Sequence, residues 1–166
     1  MLNVDVDLSV IFDDLDRSVN RAGKSVKKAV YLGAKIVRDE AILRAPQSAE
    51  AHIFKSGGYD KKTGKFKWNG REYLFYPGDL KKSIYIAYSP ENSVDDKRAE
   101  YHVSWRTTSN GAKGLLSVPY AYWVEFGNAR MPAHPFVKPA FDAKHRAAEK
   151  EITKVIREAL TDEKNI

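Results

Sequence analysis

Three residues that could do chemistry lie within ten positions of one another in the stretch 124–136, VEFGNARMPAHPF. They are Glu125, Arg130 and His134, a carboxylate, a guanidinium and an imidazole among aromatic, glycine and proline residues. A carboxylate beside aromatic rings can serve as a general acid, and an imidazole can serve as a base. A small hydrolase or nuclease that uses Glu125 and His134 is therefore one hypothesis for this segment.

The rest of the sequence gives that hypothesis little support. It contains no phosphate-binding glycine loop, no nucleophile elbow and no HExxH motif, and no second acid accompanies Glu125. If the segment before Gly127 is a strand, alternation turns Glu125 away from Phe126, toward solvent or toward Arg130. We therefore predict a structural or interfacial role for Glu125, a backbone-bonded turn for His134, and no enzymatic activity.

Metal and cofactor chemistry also lack a recognisable motif. The chain has no cysteine, which excludes thiolate zinc sites and cysteine nucleophiles, and its four histidines are scattered. His102 is predicted to lie on the solvent face of a strand beside Glu100. No catalytic residue, metal ligand or cofactor is predicted.

Length and composition favour one domain over residues 1–166, since 43% of the residues are hydrophobic and chains of 166 residues usually form one core. No window holds the roughly 18 consecutive apolar residues of a membrane span, and the N-terminus does not have the basic-then-apolar order of a signal peptide. We expect no membrane association.

Positive charge is concentrated in one segment of the chain. The net charge is +6, and residues 55–82 carry eight basic residues against three acidic ones. Within this segment, aromatic residues alternate with cations, a combination that suits phosphate pairing and base stacking or the pinning of an arm to a neighbouring subunit. The residues predicted to contact a partner or DNA are Lys61, Lys62, Lys65, Lys67, Trp68 and Arg71.

Hydrophobic periodicity predicts the order of the elements. Residues 4–8 alternate as a short strand, and a 3.6-residue period from about Ser9 to Pro46 predicts one long helix. Residues 47–79 are predicted to be an inserted basic loop or hairpin arm, in which Asn69-Gly70 would form the tight hairpin turn. Three strands are predicted from about Leu80, over 98–106 and over 115–127, followed by a helix from about Pro139. The predicted fold is α+β, an antiparallel sheet of about three to four strands packed by a long N-terminal and a C-terminal helix.

Three segments then resemble a known family. The first is the helix end Arg44-Ala45-Pro46, the second is Gly78-Asp79-Leu80-Lys81-Lys82-Ser83-Ile84, and the third is the pattern of Tyr120, Val124, Glu125, Phe126, Gly127, Met131, Pro132, Pro135, Phe136, Pro139 and Ala140. Together they resemble the small tail-component family of long-tailed bacteriophages, the gene-product-ten-like family of tail-completion or head-tail joining proteins. The resemblance covers nearly the whole chain except the arm.

The resemblance implies a structural virion protein of the tail neck, made in the host cytoplasm, that assembles as a ring expected to be hexameric. It also implies contacts with other tail and head-connector proteins and a lumen through which DNA could pass. The residues predicted at the subunit interface are Tyr120, Tyr122, Trp123, Glu125, Phe126, Arg130, Met131 and Phe136. The alternative is a nucleic-acid-binding module that uses the basic aromatic arm.

Overall fold

The computed structural model describes residues 9–107, 118–129 and 131–161, with the backbone alone for 9–14, 54–59 and 66–71. The described chain is α+β, as predicted. Its elements are α1 (Ser9–Arg44), β1 (His52–Tyr59), β2 (Phe66–Phe75), α2 (Asp79–Ser83), β3 (Ile84–Tyr88), β4 (Tyr101–Trp105), α3 (Ala121–Phe126) and α4 (Val137–Thr161). The predicted strand at 4–8 lies outside the described residues.

These elements form two compact units. The first unit contains the described residues of segments 1–41, 86–104 and 137–166, and the second contains those of segments 42–85 and 105–136. The single domain expected over residues 1–166 stays a prediction.

Helix α1 is a continuous helix of 36 residues, about 54 Å at 1.5 Å per residue, and it ends two residues before Pro46 as predicted. Its apolar stripe is buried from Ala29 to Ala41 but exposed near the N-terminus, where Leu15 is 56% and Val19 is 58% exposed. The first turns of α1 therefore carry apolar side chains that the described part of the first unit leaves open to solvent.

Helices α1 and α4 pack against each other in antiparallel directions in the first unit. A Cβ at Gly33 would lie 2.7 Å from Ile152 Cδ1, and the Lys144 ammonium lies 3.5 Å from the Glu40 carboxylate. The two helices therefore run in opposite directions. Glu40 follows Gly33 along α1, whereas its partner Lys144 precedes Ile152, the partner of Gly33, along α4. Close approach at small residues, including the buried Ala148, lets the two backbones come together.

The inserted arm is a β-hairpin, but its turn is not where the sequence pattern predicted it. Strands β1 and β2 pair in antiparallel register from His52–Phe75 to Tyr59–Phe66, and the turn spans Asp60–Lys65. The Asn69-Gly70 dipeptide lies inside β2, opposite the irregularity between Ser56 and Gly57. A turn at Asn69-Gly70 would leave β1 without a partner strand, so the longer ladder prevails over the local turn preference.

The remaining strands, β3 and β4, form a second two-stranded antiparallel sheet. The described residues thus form two small sheets instead of one sheet of three to four strands. The strand predicted from Leu80 begins only at Ile84, because Asp79–Ser83 is the helical turn α2, with the Lys82 N–H donating to the Gly78 carbonyl at 3.1 Å.

The prediction of a strand over 115–127 is also wrong for the part of that range that the structure describes, because Ala121–Phe126 is helix α3. The N–H of Val124 donates to the Tyr120 carbonyl, and the N–H of Gly127 donates to the Trp123 carbonyl, which is the i to i−4 pattern of a helix. Burial has the same period, since Ala121 and Glu125 are both buried. Over so few residues, alternation in the sequence did not distinguish a strand from a helical turn and a half.

Candidate assembly site at the joint after helix α3

The candidate site is built on α3 and on the segment Gly127–Phe136 that follows it, here called the joint. The joint connects α3 to the last helix, whereas the sequence pattern predicted that it follows a strand. It folds back along α3, because the His134 N–H donates to the Val124 carbonyl at 2.8 Å. A tight turn within it pairs Asn128 with Met131 through bonds of 2.9 and 3.2 Å.

A buried carboxylate fixes the far end of the joint. Glu125 is only 5% exposed, and its Oε2 accepts a hydrogen bond from the Phe136 N–H at 2.7 Å. The Phe136 side chain is fully buried, with its ring 5.7 Å from that of Trp105. Strand alternation predicted that Glu125 points toward solvent or toward Arg130. The first of these orientations is wrong, because the helical period of α3 turns Glu125 inward.

The start of the joint requires glycine. Gly127 has φ 74° and ψ 178°, a region of backbone space that side chains essentially exclude. A Cβ at this position would also lie 2.8 Å from the Ala133 backbone nitrogen. Gly127 therefore lets the chain leave α3 sharply, and the joint closes tightly only without a side chain there.

Tyr120, immediately before α3, anchors the hairpin. Its ring packs edge-on to His52, the first residue of β1, at 5.5 Å between ring centroids. It also packs edge-on to Phe75, the last residue of β2, at 4.8 Å. Burial of the phenol, and then the nearby Asp79 carboxylate, raise the pKa of Tyr120 above its usual value. Asp79 is itself buried, and its Oδ2 accepts from the Tyr76 N–H at 2.7 Å.

An apolar cavity of about 440 Å³ opens beside these residues. Its lining includes His52, Tyr76, Leu80, Tyr120, Trp123 and Met131. Sequence reasoning selected Tyr120, Trp123 and Met131 but missed His52, Tyr76 and Leu80. The sequence signal that could have indicated Tyr76 and Leu80 is the Pro77-Gly78-Asp79 segment between them, which is typical of a turn that redirects the chain after β2.

Helix α3 presents an aromatic pair to solvent. Tyr122 is 56% exposed and Phe126 is 61% exposed, and their rings lie 4.8 Å apart. The two side chains are four residues apart and so share one face of α3, adjacent to the face that buries Ala121 and Glu125. Glu125 and Phe136 thus lie behind the exposed surface and hold it in place. Arg130 lies outside the described residues.

The predicted nucleic-acid residues lie on the hairpin. Lys61, Lys62 and Lys65 are exposed in its turn, where Asp60 Oδ1 accepts from the Lys62 N–H at 2.8 Å. Lys67, Trp68 and Arg71 lie on β2, of which these positions are described by backbone alone. The three turn lysines therefore place exposed positive charge at the tip of the hairpin.

His102, metal binding and membrane spanning were the remaining features considered from the sequence. His102 is exposed and lies 3.0 Å from the Glu100 carboxylate, as predicted for a surface histidine. Within residues 9–107, 118–129 and 131–161, no three His, Asp or Glu residues come together as a metal site. No helix among the described residues is long and apolar enough to cross a membrane.

The chain matches no protein-family model, and comparisons with curated proteins and with solved structures give no match either.

We expect Glu125→Ala to destabilise the protein by about 1.5–3 kcal/mol, because the buried Phe136 N–H loses a charged acceptor. Glu125→Gln should cost less, since its amide oxygen can still accept. Urea unfolding measures both free energies, with Glu149→Ala at an exposed α4 position as the control. Equal stability of the Glu125→Ala and Glu149→Ala proteins would show that the carboxylate does not hold the joint.

We expect Gly127→Ala to cost more stability than Gly64→Ala. Both glycines have positive φ, 74° and 64°, but a Cβ at Gly64 meets nothing within 4 Å. Gly64→Ala therefore measures the cost of positive φ, on the order of 1–2 kcal/mol, and the excess at Gly127 measures the contact with Ala133 and the unusual ψ. The unfolding temperatures of the two variants give the comparison, and an equal loss in both would refute the close packing of the joint.

Proposed function

We propose that this protein is a structural component of the tail neck of a long-tailed bacteriophage, where it assembles as a ring and completes the tail or joins it to the head. The resemblance in three segments suggests this role. The observation that carries it is the aromatic pair Tyr122 and Phe126, exposed on a helix that the buried Glu125 and the joint hold in place.

The contacting rings of Tyr122 and Phe126 form an apolar patch on one exposed helix face, and association would remove this patch from water. Aromatic side chains bury about 150–250 Å² each, and they are enriched in the centres of protein interfaces. Preorganisation lowers the entropy lost on association, so a surface fixed before assembly binds more tightly than a flexible one. These properties suit a subunit that must join identical copies and neighbouring tail and connector proteins.

The joint suits this role better than it suits catalysis. The Glu125 carboxylate accepts from a backbone N–H, and His134 donates its own backbone N–H to Val124. The Glu125 carboxylate and the His134 backbone are thus both part of the packing of the joint. The proposal is for a protein that is not an enzyme, needs no cofactor and acts in the virion.

The proposal predicts that phage particles made without this protein contain heads and tails that are not joined, or tails that are not completed. Electron microscopy of lysates would count joined particles. Supplying the wild-type protein should restore joining, whereas Tyr122→Ala with Phe126→Ala should restore it at least tenfold less well. Phe141→Ala, at a position that is 55% exposed on α4, is the matched control and should restore joining. Normal joining without the protein would overturn the proposal.

A second candidate function is favoured by the three exposed lysines at the hairpin tip, which could contact DNA in the lumen of the ring or act in a separate nucleic-acid-binding module. Reversing Lys61, Lys62 and Lys65 to glutamate should weaken duplex DNA binding. It should also reduce the slope of log affinity against log salt by about 2–3, since each neutralised phosphate contributes about 0.9.

The matched control for that experiment is the triple reversal of Lys28, Lys35 and Lys150, exposed lysines outside the hairpin, which changes the net charge equally. Fluorescence anisotropy over a salt series gives both slopes. Equal binding by the two triple variants would reject the hairpin tip as the DNA contact.

A further inference from the structure

The second unit exposes a second apolar pair, on the hairpin. Ile53 and Leu74 lie directly opposite each other in the β1–β2 register, and they are 58% and 51% exposed. Side chains on neighbouring positions of a strand point to opposite faces. His52 and Phe75 pack on Tyr120, so Ile53 and Leu74 occupy the face of the hairpin that is turned away from it.

This hairpin pair differs in kind from the aromatic pair on α3. One is an aliphatic cross-strand pair on a two-stranded ribbon, and the other is a tilted pair of rings, Tyr122 and Phe126, on a helical face. A two-fold dimer buries the same patch of both copies, whereas a ring joins two different patches head to tail. Two unlike apolar surfaces on one unit match the second arrangement.

We propose that the Ile53–Leu74 face of the hairpin in one copy docks on the Tyr122–Phe126 face of α3 in the next copy. This inference rests on the proposed ring and names the two surfaces that form its repeating contact. Each copy then uses both surfaces, one toward each neighbour, and the contact repeats until the ring closes.

The exposed area of the two apolar surfaces is consistent with a second copy of the chain as the binding partner. Four large side chains that are about half exposed, two on each of the two surfaces, offer on the order of 400 Å² in total. A stable interface buries roughly 1,600 Å² in total, so these pairs form its apolar centre.

A chain without cysteine allows a direct test by site-specific crosslinking. Leu74→Cys and Phe126→Cys proteins of full length, carrying tags of different size, are mixed at high concentration and treated with a short bis-maleimide. We expect the mixed Leu74→Cys/Phe126→Cys dimer to exceed either homodimer at least fivefold. Leu74→Cys mixed with Phe141→Cys is the control for random collision and should give only background.

Mixed dimer at the level of the Phe141→Cys control would overturn the inference, and so would a predominance of either homodimer, which indicates a two-fold contact. Thermal unfolding of each cysteine variant confirms that it is folded before mixing. The outcome is separable from the proposed function. A strong mixed crosslink together with normal particles in the absence of the protein would reject the neck role alone, and homodimers together with unjoined particles would reject this contact alone.

Discussion

The hydrogen bond from the Phe136 N–H to the buried Glu125 carboxylate is the constraint on which the candidate site depends. It ties the end of the joint to the inner face of α3, and Phe136 then fills the core beside Trp105. With Glu125 and Ala121 turned inward, the helical period leaves Tyr122 and Phe126 facing solvent. A buried charge thus determines which aromatic side chains are displayed.

The same constraint also fixes the surface that we propose for assembly. Gly127 allows the chain to leave α3 sharply, and the joint returns along the helix through the His134 to Val124 bond. The packing of Tyr120 on His52 and Phe75 orients the base of the hairpin within the same unit. The aliphatic pair on the hairpin and the aromatic pair on α3 are therefore both fixed by contacts behind them, as a repeating head-to-tail contact would require.

Long elements with a sustained hydrophobic pattern could be predicted from the sequence, whereas short elements could not. The 36 residues of α1 hold their apolar period over many turns, so a long helix that ends before Pro46 was predicted correctly. The six residues of α3 fit a strand pattern equally well, and the backbone hydrogen bonds from Val124 to Tyr120 and from Gly127 to Trp123 show the helix. The hairpin turn was misplaced because pairing along β1 outweighs the preference of Asn69-Gly70. The role of His52 depends on its approach to Tyr120 across 68 positions, which no local pattern contains.

Amide hydrogen exchange at Phe136 in the isolated, full-length protein tests the central claim most directly, because the claim is that the joint is formed before any partner binds. The account predicts that this amide exchanges as slowly as the most protected amides of the second unit, since its hydrogen bond is buried and opens only with the unit. Exchange at the rate of an unstructured peptide would contradict it, and would mean that the Tyr122–Phe126 surface is not fixed in the free protein.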